Sequence, residues 1–368
     1  MCDISILASR REKTRAPVQS AVFPLDNRSP HQYSLSERRW GVRLGDCSIC
    51  NLTLHPRPRL MQFLENFLQQ TMNRRGLIKM AALGAAAVAL PAAVLGKKKR
   101  NIEIGHTGIT WPNDIVQAIT DTGNLGFYGF ETFGDVLTKW EPQGGLEPML
   151  EQHHLPLISG YCTLNLTDST KQKDEIDKAV VWAKLIKKYN GQIFVLGPNQ
   201  VKRAEYDFAA NKANIVSTLN EAAKAVSGQG ITVVLHQHTG TCVESRDETY
   251  AVLDAVDTKY VKFGPDIGQL TKGGSDAVQV VKDYLPIVQH MHLKDYNGLD
   301  PHLLGYCPLG QGKVNIPAIL DMMEGRKIHG MVMGELDNDP KNLSPTPPLD
   351  LVKTSKVYLE TLGITFRA

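Results

Sequence analysis

The sequence predicts an α/β protein, a single-domain (β/α)8 TIM barrel over residues 101–368 preceded by an export signal. Two observations carry the barrel. From Asn101 onward, short apolar runs alternate with amphipathic stretches, and the alternation can be counted about eight times. Metal-competent polar groups then end four successive apolar runs, which is where a parallel barrel assembles its site. The competing topology is a doubly wound open sheet. Against it, no glycine-rich turn of the dinucleotide type follows the first strand.

The strands are expected, in order, at Ile102–Gly105, Gly126–Glu131, Leu155–Tyr161, Gln192–Leu196, Ile231–His238, Tyr260–Gly264, Ile287–His292 and Gly330–Glu335. The clearest helices are Gln172–Tyr189, where Ile176, Ala179, Val180, Ala183 and Ile186 recur at helical spacing, and Ala213–Val226, with Ile215, Leu219, Ala222 and Ala223. Ser275–Tyr284, Ile316–Met323 and Leu349–Leu362 complete the later set.

Residues 72–100 have the layout of an export signal. Arg74-Arg75-Gly76-Leu77-Ile78-Lys79 resembles the twin-arginine type, and the run from Met80 to Gly96 that follows carries no charge. An apolar run of about 17 residues, interrupted by Pro91, is short for crossing a bilayer. A periplasmic or otherwise exported protein is expected, with no membrane association of the mature domain unless the signal stays on as an anchor. Residues 1–71 precede this signal and show scattered Pro and Arg with little periodicity. They read as a disordered or mis-annotated extension, with translation starting at Met72. Cys47-x-x-Cys50 with His55 makes half a zinc site, but no second ligand pair follows at finger spacing.

Composition places the chain among ordinary globular proteins, with 42% hydrophobic and 21% charged residues. The net charge of +3 owes part of its value to Arg74/Arg75/Lys79 and to the cluster Lys97 to Arg100. No basic face remains for nucleic acid. The barrel region keeps Cys162, Cys242 and Cys307, an odd and widely spaced set that is not a disulfide framework. Assembly into a homo-oligomer is compatible with everything in the sequence.

The chemistry is concentrated at four strand ends. The fifth expected strand closes on VVLHQH with His236 and His238, and the sixth is followed by GPDIGQ with Asp266. The seventh gives QHMHLKD with His290, His292, Lys294 and Asp295, and the eighth MVMGELD with Glu335 and Asp337. Mixed imidazole and carboxylate donors on one rim suit a single Mn, Mg, Co or Zn ion better than calcium, which prefers oxygen alone. Strand alternation puts His236 and His238 on one face, and His290, His292 and Lys294 on one face, without choosing among them. His290 lies deeper and fits a packed core histidine. Asp295 and Asp337 fit second-layer partners or loop caps.

These segments resemble the xylose-isomerase-like TIM barrels, which include sugar phosphate isomerases and epimerases, and within them the inosose dehydratases. The likeness runs from about Ile104 to the C-terminal helix. It rests on HQHTGT, PDIGQ, HMHLKD, PLGQGKVNIP, GELDNDP and Trp111-Pro112-Asn113-Asp114. The family holds its metal with a Glu, an Asp, a His and a Glu, which the resemblance carries over to Asp266, His292 and Glu335. His236 stands where the first Glu is usual. Gln269 replaces a common histidine, and its loss removes a ligand that the apurinic-site endonucleases of the same superfamily need.

The resemblance implies a metal-assisted removal of a proton next to a carbonyl, on a keto-sugar or keto-inositol. Loss of water or another β-leaving group then gives a dehydratase or eliminase; reprotonation gives an isomerase or epimerase. A non-catalytic periplasmic sugar-binding barrel is the alternative of another class. The proton-transfer candidates are His238, Glu131 and Lys294. Trp111 and Tyr161, at or just beyond strand ends, are candidates to stack on the small carbohydrate substrate.

Overall fold

A computed structural model describes residues 99–368. The extension 1–71 and nearly all of the expected signal 72–100 lie outside the described residues. Among the described residues no helix is long and apolar enough to cross a membrane.

Eight parallel strands form one sheet: β1 (Ile104–Thr107), β2 (Phe130–Phe133), β3 (Leu157–Leu164), β4 (Ile193–Pro198), β5 (Thr232–Leu235), β6 (Val261–Phe263), β7 (Met291–Leu293) and β10 (Val332–Gly334). Between β7 and β10 the chain inserts a small antiparallel pair, β8 (Asp295–Tyr296) and β9 (Tyr306–Cys307). The ladder runs β6-β5-β4-β3-β2-β1-β10-β7, and parallel bridges Phe263 to Val288 and Asp266 to His292 join its two ends. Register brings Ile104 opposite Val332, His106 opposite Phe130 and Met333 opposite His292.

All eight strands of the parallel sheet overlap an apolar run expected from the sequence, and each begins later; β8 and β9 lie outside the expected strands. Ile287, the expected start of the seventh, closes a 3-10 turn at Leu285–Ile287 instead, because Pro286 has no N–H for a ladder. In β4 every residue is buried, as in a parallel sheet covered by helices on one face and filled by side chains on the other.

The outer layer is α1 (Ile115–Asn124), α2 (Gly134–Trp140), α3 (Glu147–Gln152), α4 (Gln172–Lys188), α5 (Phe208–Ser227), α6 (Arg246–Leu253), α7 (Ile267–Lys272), α8 (Ala277–Tyr284), α9 (Ile316–Met323) and α10 (Pro348–Thr361). In α4, Ala179, Ala183 and Ile186 are the buried stripe, matching the spacing read from sequence. Helix α5 starts earlier than its apolar stripe because the Asp207 side chain accepts the Ala210 N–H and caps a polar first turn. Helix α6 opens with a capping box in which Ser245 and Glu248 satisfy each other's backbone N–H groups.

The C-terminal tail is tied back onto the first βα unit. The Arg367 N–H donates to Gly126 O at 2.9 Å, and the Arg367 guanidinium donates to Phe127 O and His154 O. Gly126 has φ of 78°, and a Cβ there would stand 2.2 Å from Arg367 O. Gly126→Ala is therefore expected to cost about 2 kcal/mol or more, through left-handed backbone strain and displacement of the tail. Urea unfolding checks this; an unchanged midpoint would show that the tail does not press on this turn.

Candidate active site

The C-terminal ends of the strands carry the polar groups. His236 and His238 follow β5, and both face a cavity at the strand ends. Asp266 follows β6 and caps α7: its Oδ1 accepts the Gln269 N–H at 2.9 Å, which turns Oδ2 toward the barrel axis side chains. His290, His292 and Lys294 come from β7 and its flanks, and Glu335 and Asp337 from the end of β10. Glu131 lies in β2 and Tyr161 in β3.

His236, Asp266 and His292 bring ligand atoms within 4.8 Å of one another, all three buried. His236 Nε2 is 3.9 Å from Asp266 Oδ2, and the His236 and His292 ring centroids are 4.6 Å apart. Glu335 joins through Oε2, 2.8 Å from His292 Nδ1. The four residues the sequence nominates as ligands are thus brought together. A second group, Glu131, His290 and His292, also converges. There the Met331 N–H donates to His290 Nδ1 at 3.2 Å, so His290 Nε2 carries the proton and donates to Glu131 Oε2 at 3.0 Å. That nitrogen has no lone pair for an ion, and His290 is the packed histidine its depth in the strand implied.

The first group fits a metal ion on a separate observation. His236 Nδ1 is buried with no hydrogen bond, while Asp266 Oδ2 and the two His292 nitrogens are buried with ion-pair contacts alone, to Lys294 Nζ at 3.1 Å and to Glu335 and Glu131 at 2.8 and 2.9 Å. Native interiors rarely leave an atom such as His236 Nδ1 without a partner. Burial, reinforced by His292, holds His236 well below the ordinary histidine value, so its imidazole is neutral and can donate a lone pair.

Lys294 is fully buried among three carboxylates, with Nζ 3.1 Å from Asp266 Oδ2, 2.5 Å from Glu335 Oε1 and 2.9 Å from Asp337 Oδ1. Burial alone would push this amine down; Asp266, Asp337 and Glu335 outweigh it and hold it well above the usual lysine range. A lysine held charged suits a fixed cation rather than a base. Glu131 is equally engaged: Oε2 accepts from Ser159 Oγ at 2.6 Å and from His290, while Oε1 is 2.9 Å from His292 Nε2. Burial would raise its carboxyl, but His292 and His290 hold it well below the usual range.

His238 is fixed in one tautomer. Gln269 Oε1 accepts from Thr239 N and Oγ1, so Gln269 Nε2 donates to His238 Nε2 at 2.7 Å, and His238 Nδ1–H donates to Thr239 O. Burial, then the Lys294 charge, lowers its pKa. Tyr161 packs edge-on against His236 and lines the same cavity of about 280 Å³. Trp111 lines an outer cavity of about 530 Å³, its Nε1 donating to Asp121. Asp295 is a loop cap, accepting the N–H groups of Gly310, Gly312 and Val314.

A model of the xylose isomerase-like TIM barrel family matches residues 119–361. The chain belongs to that family. Among curated relatives, an inosose dehydratase of Mesomycoplasma hyopneumoniae strain J is 24% identical over 298 residues, covering 72% of this chain and 97% of the relative. Among solved structures, an IolI protein with a bound zinc atom superposes with a TM-score of 0.58 at 16% identity, covering 71% of this chain and 98% of its own. A D-allulose 3-epimerase from Methylomonas sp. in complex with D-allulose gives 0.55 at 17% identity, covering 71% and 97%. At these identities the solved neighbours show the shared fold.

Sequence reading missed Gln269 as the clamp on His238, Ser159 as a partner of Glu131, and Thr163 and Gln200 in the cavity wall. Only Gln269 left a signal: Asp266-Ile267-Gly268-Gln269 has the spacing of a helix cap and its third residue. His106, buried under Trp111 and Phe127 with Nδ1–H donating to Thr107 O, was also not singled out. Burial lowers its pKa to about 4. The unfolded chain takes up this proton near 6.5 while the folded one resists it, so stability falls as pH drops from 6.5 to 4. The loss reaches on the order of 3 kcal/mol once complete. His106→Gln is expected to shrink the change in urea midpoint between pH 7 and pH 4; an unaltered change would place the acid sensitivity elsewhere.

Proposed function

We propose that this chain is a divalent-metal-dependent carbohydrate enzyme that removes a proton next to the carbonyl of a keto-sugar or keto-inositol, with dehydratase or eliminase outcome. The observation that carries this is the convergence of the buried side chains of His236, Asp266 and His292, with Glu335 beside them, next to a cavity that His236 and Glu335 line. The inosose dehydratase relatives and the solved neighbours with a zinc atom or D-allulose support the reading.

His236, Asp266, His292 and Glu335 would hold the ion. A divalent ion there supplies Lewis-acid polarisation of a carbonyl and its neighbouring hydroxyl. Charge supports a cation: Glu131, Asp266, Glu335 and Asp337 are four buried carboxylates, and Lys294 is the one fully buried ammonium among them. Uncompensated buried charge is expensive, and a divalent ion removes most of the excess.

Glu131 acts as a positioning residue. By taking the Nε2 side of His292 it leaves Nδ1 toward Glu335. His238 is the proton acceptor that remains. It faces both cavities, is neutral at neutral pH, and its Nε2 lone pair is covered only by the Gln269 amide, which substrate would displace. Tyr161, kept as a neutral phenol by burial, offers a hydroxyl to substrate. An isomerase or epimerase would use the same groups and differ only in the fate of the proton. Export through the 72–100 segment belongs to this reading as well.

Asp266→Ala and His236→Ala are expected to abolish stoichiometric metal in elemental analysis of purified protein. Glu131→Gln should keep the metal but bind it roughly 10- to 100-fold more weakly. Full retention by Asp266→Ala would remove the site as drawn. For the reaction, a screen of keto-sugars in deuterated water should show solvent deuterium entering one substrate and a product lighter by one water. A product of unchanged mass would make the enzyme an isomerase or epimerase, and no exchange with any sugar would favour a binding protein. Loss of exchange in His238→Ala, with metal retained, would mark its role.

A further inference from the structure

The cleft has two chambers. The inner one, of about 280 Å³, is lined by Tyr161 and by two of the candidate metal residues, His236 and Glu335; the outer one, of about 530 Å³, opens from it. They share Gly108, Ile109, Thr132, Phe133 and His238, so His238 stands at the junction. Small-molecule sites run roughly 300–1,000 Å³, so the inner chamber is scarcely enough for one sugar ring beside an ion, and the outer one is a full site of its own.

The outer walls are aromatic. Trp111, Phe133 and Trp140 line them, and Trp111 is locked by its Nε1 bond to Asp121 and by edge contact with His106. Fixed aromatic faces take the apolar face of a ring at low entropic cost. The charges argue against a phosphate: Lys139 is the one lysine or arginine of the outer lining, which also carries Asp114, Asp135 and Asp337, and the inner lining has no lysine or arginine. A phosphoryl group is ordinarily met by clustered cations or a fork of donors.

We infer that the substrate is an uncharged two-ring glycoside, whose reacting ring sits in the inner chamber and whose second ring, sugar or aryl, is held among Trp111, Phe133 and Trp140. This rests on the carbohydrate reading above and deepens it. The glycosidic oxygen would pass His238 at the junction. The hairpin β8–β9 contributes Leu304 to the outer wall, in a left-handed conformation with φ of 54°.

Calorimetric titration of the full chain with glucose, glucose 6-phosphate, cellobiose and phenyl β-D-glucoside tests this without requiring turnover. The two-ring probes are expected to bind at least ten-fold more tightly than glucose, and glucose 6-phosphate no more tightly than glucose. Trp140→Ala should remove the two-ring advantage while changing glucose affinity less than two-fold. Equal affinity for all four, tighter binding of the phosphate, or equal weakening of every probe by Trp140→Ala overturns the inference. Deuterium exchange into keto-sugars is scored in parallel. Exchange without a two-ring preference sinks this inference and leaves the reaction standing. A two-ring preference without exchange does the reverse, and the absence of both overturns both.

Discussion

Three carboxylates converge at one end of the barrel, where they would repel one another and pull water inward, and the Lys294 ammonium offsets part of that repulsion. It touches Asp266, Glu335 and Asp337, which arrive from the ends of β6 and β10, while Lys294 itself follows β7. Removing one partner of a buried charge cluster leaves the others uncompensated, so the cluster holds together or fails as a unit. Gly268 is shaped to it, because a Cβ at that position would meet the Lys294 aliphatic chain at 2.6 Å. The amine's stem therefore packs against α7 while its head holds the strand ends.

Around this cage the same side chains serve both fold and site. Asp266 caps α7 with one oxygen and presents the other to His236 and Lys294. Gln269, three residues on, has its backbone N–H consumed by that cap and its side chain consumed by Thr239 and His238. Glu131 links β2, β3 and β7 through Ser159, His290 and His292. Each contact orients a neighbour whose geometry matters more than its identity, which is how a site on short strands is kept rigid.

The βα segments supply the breadth that strands this short lack. Asp295 gathers three backbone N–H groups of the loop from Gly310 to Val314 and so anchors the β8–β9 excursion over the β7 end. Tyr306 of that hairpin lies 4.6 Å over both Lys294 and Lys272, closing the cage on its outer side. On the opposite side Phe133 ends β2 as Trp140 ends α2, placing two rings along one wall of the outer chamber. Loop and helix insertions, rather than the sheet, give the cleft its second compartment.

By itself the sequence determined the order of the eight parallel strands and the end of the sheet where chemistry gathers, while the choice of His236, Asp266, His292 and Glu335 there came from the family resemblance. Those signals are local: periods of two and 3.6 residues, and a polar side chain ending an apolar run. The tertiary structure alone decided what each polar group spends itself on. Glu131 and His290 are 159 positions apart and Lys294 and Asp337 are 43 apart, so no window of sequence contains either pair. Only the circular register, which sets β10 between β1 and β7 and bridges Asp266 to His292, brings them within hydrogen-bond or ion-pair reach. The strand starts also shifted for that reason, since a residue joins a parallel ladder only when the neighbouring strand presents a partner.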